Sequence, residues 1–581
     1  MPTRLAFLLC LSVAALSAAP SDSGRLVVHE WGTFLAMNGS TGVSLDGMYH
    51  EEHALPSFVH ARSRDQLRLP TSLLKGETPV IYFYTAHPLR AQVQVNFPTG
   101  LWTQWFPQAS MVGPGLVQAG SPPLARNGRI AWDIDVVPRD YPHGTIPRTP
   151  SEALWNHARQ VDSAYVSAAT SIQPRAQREW ERFLFYRGLG EAPLPIEIKA
   201  NDGRITASTS EPAGLRHLFI LRVEHGIGAF AYVPELTDTH GLDQAIPSMT
   251  TALPIEDFVS RVSDAVAQRL VESGLYDKEA RAMVNTWRAS YFKTEGLRVL
   301  FVLPQTWTER FIPMEIKPTP AELVRVMVGR VELLDAARER RAEEAIRNLA
   351  STDTAVRERA FDSLRAEGRY VEPIIRRMLQ TTSDGTVRTL SQRLLLTDFV
   401  TELRTAVADA ATGEAVRTDP LYVRALLADL LREVGLTDEA RAEGQAVLTQ
   451  LLARGEPRMS DHTSREPLRA LARAAEGAGD DHEALRWYGQ FVRFGSQSPT
   501  CNGCHTTGGP QTMAFYRDWW AGRKFGTLAV RTGEAPALIA AHEADLAAAP
   551  RNATAQLSLA YLYEATGNRQ RADKMWSMLG R

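Results

Sequence analysis

The chain changes character at Pro318 and Pro320. Ahead of them, runs of β-forming residues alternate with Gly-, Asn- and Pro-rich turns. Beyond them, apolar residues recur with helical spacing to the end of the chain. Such a sequence has to build two kinds of core, one from sheets and one from packed helices. Its 581 residues exceed what one core usually serves, so several domains are expected. The expected fold class is α+β multidomain: a β-rich, sandwich-like domain over residues 25–320, then all-α segments over 321–410 and 418–581.

In the first part, Leu26-Val27-Val28-His29-Glu30-Trp31-Gly32-Thr33-Phe34 is dense in β-formers and runs into the turn-rich Asn38-Gly39-Ser40-Thr41-Gly42. Pro79–Tyr84 reads as a buried strand, and Ala91–Phe97 alternates like a half-exposed one. Further strands are expected at Leu194–Lys199, Arg204–Ser208, His217–Glu224 and Ala229–Val233. Helices are expected near Glu152–Ala169, Ala176–Phe185, Ile255–Ser273 and Asp277–Phe292, as insertions in a sandwich-like sheet.

In the helical part, Asp353-x-x-Val356-Arg357 recurs as Asp384-x-x-Val387-Arg388, each copy followed by an amphipathic stretch. An Asp that caps, a Val that enters the core and an Arg along the stack resemble HEAT-type repeats, which implies paired helices over 321–410. Further on, Gly435-x4-Ala440, Gly479-x4-Ala484 and Gly567-x4-Ala572 each separate two short amphipathic segments. A small residue at the turn and an Ala opening the second helix allow close approach, and the pattern resembles tetratricopeptide repeats over 418–581. Leu557–Gly567 fits best. The glycine spacings exceed the usual ~34 residues, which implies insertions. A degenerate unit fits between, with Ala514–Arg531 and Ala535–Ala548 as its helices.

The first residues read Met1-Pro2-Thr3-Arg4, an apolar run Leu5–Leu16, then Ser17-Ala18-Ala19. A basic start, a short apolar stretch and a small-residue cleavage zone predict a signal peptide over 1–19. The run is too short to span a bilayer, and no later one reaches the needed length, so no membrane span is expected. Cys10 follows Leu9 and sits too early for a lipoprotein cleavage site. A soluble bacterial protein, periplasmic or secreted, is expected. The formal net charge of −2 gives no electrostatic bias toward nucleic acid or anionic membrane.

The chain has three cysteines. Beyond the leader only two are left, in Cys501-Asn502-Gly503-Cys504-His505. This is the C-x-x-C-H pattern of c-type haem attachment, and it resembles the haem-binding segment of c-type cytochromes over about 25 residues. The resemblance implies one covalent haem c, with Cys501 and Cys504 each bonded to a vinyl group and His505 as proximal ligand to the iron. Thr506-Thr507-Gly508-Gly509-Pro510 resembles the small-residue loop that follows such a histidine. Phe515, Tyr516, Trp519 and Trp520 would wall one face of a macrocycle or fill a repeat core. Arg517, Arg523 and Lys524 would pair with propionates. Two candidates compete for the sixth position. Met513 is eight residues past His505, and at ~3.5 Å per residue the chain has about 28 Å of reach. His542 lies in an expected helix over Ala537–Leu546. Two other chemistries stay open for the two thiols: a dithiol/disulfide site, though no thioredoxin-like βαβ pattern surrounds it, and zinc, which lacks a fourth ligand nearby.

His29-Glu30-Trp31-Gly32-Thr33-Phe34, Glu77–Tyr84, Phe183–Gly188 and Arg325-Val326-Met327-Val328-Gly329-Arg330-Val331-Glu332 resemble segments of a set of large exported bacterial proteins. That resemblance spans about residues 25–335 and implies no activity. His29, Glu30, His50, Glu51, Glu52, His53, His60 and His87 form a dense group of metal-capable residues. Without an H-E-x-x-H helix, surface and strand-edge polar residues are the plainer expectation. No G-x-S-x-G elbow or phosphate-binding glycine loop occurs.

These readings favour an exported monohaem protein that exchanges electrons with a protein partner, its repeats offering the docking surface. An exported repeat scaffold with a Cys501–Cys504 disulfide is the alternative from another class. A haem enzyme with an open distal site is the third.

Overall fold

The computed structural model describes residues 25–45, 55–56, 58–61, 74–77, 79–114, 126–168, 178–412, 420–453, 462–477, 479–496, 517 and 519–579. Two compact units emerge, one formed by Met1–Asp46 and Val59–Leu333, the other by Gly47–Phe58 and Leu334–Arg581. The architecture is mixed: sheets in the first unit, helices in the second.

The first unit is organised by Val27–Asn38, a strand buried at every position. It runs parallel to Glu322–Leu333, with Glu30 opposite Arg325 and Leu35 opposite Arg330. Strands buried on both faces read as near-continuous apolar runs, and these two do so apart from a few charged residues. Around them, among the described residues, a twelve-stranded sheet forms. On one side Glu322–Leu333 is followed by Gly296–Leu303, Leu215–Glu224 and Ile227–Leu236; on the other lie Val80–Tyr84, Leu74–Gly76, Leu184–Gly190 and Gly100–Phe106. A six-stranded sheet is built on Leu89–Phe97 paired with Gly128–Val137, and Glu197–Asn201, Arg204–Ser208 and Leu242–Ala245 make a third. One core draws on all three, including Phe34, Trp102, Trp132, Tyr186, Ile205 and Met327.

The expected strands at 26–34 and 79–84 match observed ones that begin one residue later, and 91–97 lies within a third. The helix Ile255–Glu272 forms as its 3.6-residue periodicity predicts, burying Phe258, Val262, Val266 and Leu270, with Glu256 and Asp257 complementing its N-terminal dipole. Asp277–Trp287 follows it.

Two expected helices are corrected. Within Glu152–Ala169 only Trp155–Ala158 is helical, and Tyr165–Ala168 is a strand paired with Gly128–Val137. Within Ala176–Phe185 the described residues form Glu179–Glu181 and the start of Leu184–Gly190, both strands. Tertiary pairing decides here. Val166 and Leu184 are fully buried in the common core, and aromatic Phe183-Leu184-Phe185-Tyr186 suits a pleated surface better than a helix. The boundary expected at residue 320 is also corrected, since Glu322–Leu333 is a central strand and the helices begin with Ala336–Asn348. Pro318 and Pro320 precede a strand rather than end the sheet.

In the second unit, Asp353 caps Thr354–Glu367 through the Ala355 N–H, and Asp384 accepts from Thr386 and Val387 N–H at the head of Gly385–Thr412. Arg357 donates back to the Ser351 carbonyl and Arg388 to that of Thr382. The two sequence copies thus make the same cap, and their arginines tie down the preceding turn. Four later helix pairs share one turn. Pro420–Glu433 with Thr437–Ala453, His462–Gly477 with Asp481–Ser496, Trp520–Arg531 with Ala535–Ala548, and Ala553–Ala565 with Arg569–Leu579 are joined at Gly435, Gly479, Gly533 and Gly567. Each of these glycines has positive φ, between 73° and 79°, the conformation that closes a helix C-terminus. The six-to-one bond of that motif is present as Leu436 N–H to Leu431 O, Asp480 N–H to Ala475 O and Asn568 N–H to Tyr563 O. Among the described residues, no helix is long and apolar enough to cross a membrane.

Candidate functional site

Cys501, Cys504, His505 and Met513 lie outside the described residues, as do Phe515 and Tyr516. The residues that flank them are described. The chain departs after the helix Asp481–Ser496 and returns at Trp519, ahead of Trp520–Arg531. Departure and return are at one place: a Cβ on Gly495 would stand 2.7 Å from the Trp519 ring, and Phe491 lies 6.3 Å from it, centroid to centroid. Trp520 makes an edge contact with Tyr488 at 5.8 Å and lies under Arg473. Trp519 and Trp520 therefore pack on the helical core and remain half-buried. The cations expected to meet propionates have protein partners. Arg517 lies 3.5 Å from Asp573, Lys524 is paired with Glu476, and Arg523 donates to the Arg517 carbonyl. His542 is on Ala535–Ala548, its side chain largely buried and its Nδ1 3.4 Å from Asp545.

The described metal-capable residues of the N-terminal part do not converge. His50, Glu51, Glu52 and His53 lie outside the described residues. His60 bonds Glu179 through Nε2 at 3.1 Å, and exposed His87 lies 3.3 Å from the Tyr141 hydroxyl. Among the described residues, no group of three or more His, Cys, Asp or Glu is arranged to hold a metal ion.

His29 and Glu30 are not the surface residues expected: both have 0% exposure. As neighbours on one strand they point to opposite faces, and each finds a distant partner. Glu30 accepts from Arg325 Nε at 2.6 Å and from the Tyr186 hydroxyl, while Arg325 Nη1 donates to the Ile312 carbonyl at 2.9 Å. Burial, then the Glu30 carboxylate, holds the Tyr186 phenol well above its ordinary range, so it stays a donor. Further along the sheet, Arg330 and Arg298 share Glu332, at 2.6 Å and 3.1 Å. Glu77 accepts from the Tyr291 hydroxyl and has Arg330 at 3.6 Å and Lys75 at 3.8 Å. Arg325 and Arg330 thus pair inside the sheet with Glu30 and Glu77 of the 29–34 and 77–84 blocks, while Glu332 pairs with Arg330 and Arg298.

His29, on the other face, meets Glu279 of the helix Asp277–Trp287. Its Nδ1 is 2.8 Å from Glu279 Oε2. That same oxygen accepts the Tyr276 N–H at 2.7 Å, and Oε1 accepts the Tyr84 hydroxyl at 2.5 Å. Burial, then Glu279, raises the Tyr84 phenol far above its usual range. Three donors converging on one carboxylate place a proton on His29 Nδ1. His29 Nε2 is buried and has no hydrogen-bond partner. Tyr276 lies across the imidazole at 4.4 Å, and the residue is 47% exposed. Sequence reasoning reached His29 but not Glu279, Tyr84 or Tyr276. The only local signal at Glu279 is its place three residues after Tyr276, which marks a helix cap and not a partner 250 positions away.

A scan against protein-family models finds no match for this chain, and a search of curated proteins finds none.

Proposed function

We propose that this chain is an exported monohaem c-type protein that exchanges electrons with a protein partner. The observation that carries the reading is Cys501-Asn502-Gly503-Cys504-His505, which takes up both cysteines outside the leader. Cys501 and Cys504 would hold the haem through thioether bonds and His505 would ligate its iron; when bound, the group supplies one-electron chemistry. The flanking residues suit such an insertion. Gly495 and Trp519 pin the two ends of the segment together, so a cofactor-bearing loop fits there without parting the helices on either side. The half-buried Trp519 and Trp520 offer aromatic surface beside it. The positive-φ glycines between paired helices support a tetratricopeptide-like array, and such arrays dock protein partners along their faces.

The test is expression of the full chain with a cytochrome c maturation system. The protein should reach the periplasm without residues 1–19, keep its haem through a denaturing gel, and lose it in Cys501→Ala, Cys504→Ala. A colourless periplasmic protein with a Cys501–Cys504 disulfide would overturn the proposal in favour of the scaffold reading.

A further inference from the structure

A buried imidazole nitrogen without a partner is costly, and native structures leave few of them without a reason. His29 Nε2 is such an atom. Its surroundings suit proton transfer. Glu279 orients the ring through Nδ1 and would stabilise the imidazolium once Nε2 takes a proton, the way a buried carboxylate supports a histidine base. Glu279 is itself held by Tyr84 and by the Tyr276 N–H, so the pair is rigid.

The cover over this pair is of a different kind. The Tyr276 N–H is fixed by Glu279, but no hydrogen bond among the described residues holds its hydroxyl, and nearly half of the residue is exposed. A turn about χ1 would lift the ring from His29 without disturbing the helix start. Tyr276 lies across the imidazole, tilted by 39°, yet leaves Nε2 unserved. With the Tyr276 ring turned aside, a planar hydroxylated molecule at the edge of the imidazole would set an O–H donor in line with Nε2 and keep its ring against Tyr276.

We infer that His29 and Glu279 form a proton-accepting site for a small phenol-like ligand admitted beneath Tyr276. In the transfer, the O–H bond of the ligand breaks, its proton moves to His29 Nε2, and the electron pair stays on the ligand oxygen as an oxyanion. Glu279 keeps the Nδ1 proton and balances the new positive charge.

The test uses the full chain and acylation of histidine by diethyl pyrocarbonate, mapped to His29 by mass spectrometry. Reaction at a covered group scales with the population of its open form. Tyr276→Ala should therefore accelerate acylation of His29 by about tenfold or more, while Tyr276→Phe, which keeps the ring, should match the parent chain. p-Cresol should slow acylation of His29 in the parent chain, leaving exposed His87 unaffected as the internal control. Nitrogen NMR of labelled histidine should show the Nε2 resonance of a lone-pair nitrogen, moving toward the protonated position as p-cresol binds. Equal His29 rates in the parent chain and Tyr276→Ala, with circular dichroism unchanged, would overturn the gating role of Tyr276. Absence of protection by p-cresol would overturn the ligand class, and a protonated Nε2 in the free chain would overturn the site as a base.

Discussion

Replacing Glu30 by alanine is the sharpest probe of the first unit. The carboxylate pairs with Arg325 at 2.6 Å, and both side chains are fully buried. Burial disfavours the guanidinium charge of Arg325; Glu30, then Tyr186, more than offset that and hold its pKa above the ordinary value. Without Glu30 the cation keeps its bond to the Ile312 carbonyl but loses the anion. Removing one partner of a buried pair costs about 3–5 kcal/mol. Because a chain of two units need not unfold in one step, the readout should be local: hydrogen exchange of peptides covering Val27–Asn38 and Glu322–Leu333. At ~1.4 kcal/mol per decade, exchange there should accelerate by about two to four decades. Glu30→Met with Arg325→Met removes both charges and keeps apolar volume, so it should recover most of the loss or exceed the parent. Acceleration of less than about tenfold in Glu30→Ala would refute the argument that this pair holds the two strands. A double variant as weak as the single one would show that lost packing, not a stranded charge, is the cause.

Three further outcomes follow from named contacts. If Met513 ligates the haem iron, Met513→Ala should convert a low-spin spectrum to high-spin while His542→Ala leaves it unchanged, and the reverse pattern would assign His542; neither variant changing the spectrum would remove both. His157 and His217 are held below their ordinary value of 6.5, by burial first and then by Arg288 and Arg216 respectively. The unfolded chain therefore binds their protons first, so their contribution is present above about pH 6.5 and is lost as pH falls from there through the folded values; urea midpoints measured downward from about pH 7.5 should drop less steeply in His157→Gln, His217→Gln, and identical slopes would contradict this. In Gly329→Ala the added Cβ would stand 2.3 Å from the Phe301 ring, which should lower stability by about 1–3 kcal/mol, read as a lower thermal midpoint; an unchanged midpoint would mean that Phe301 turns aside.

What the chain discloses locally is read correctly where one period dominates. Ile255–Glu272 and the alternating strand Leu89–Phe97 have a clear amphipathic face, and the turn glycines 435, 479 and 567 carry a backbone conformation that few other residues accept. Tyr165–Ala168 and Glu179–Glu181 escape such reading, because segments of three or four residues are too short to display either period, and pairing with each other and with Gly128–Val137 settles the choice. The same holds for the charges. Glu30 and Arg325 are 295 positions apart and His29 and Glu279 are 250 apart; no window along the chain contains both members of either pair. A charged residue in a strand reads as solvent-facing until its partner is known. The Cys501–His505 pattern is the opposite case: the haem proposal rests on five contiguous residues that can be read without a fold.

The two faces of Val27–Asn38 show why only one of its adjacent polar residues is offered as a site. Glu30 is matched in charge by Arg325 and in hydrogen bonding by Tyr186. Arg325 leaves Nη2 without a partner, but that atom is one arm of a delocalised group anchored at Nε and Nη1, and it cannot accept a proton. Such an arrangement suits a fixed joint between parallel strands. His29 differs in each respect. Glu279 receives three donors and has no arginine or lysine bonded to it among the described residues. Its Nε2 has no hydrogen-bond partner, and a half-exposed aromatic lies across the imidazole. A proton delivered to Nε2, as proposed, would face Glu279 across the ring, whereas Glu30 and Arg325 already answer each other within the sheet.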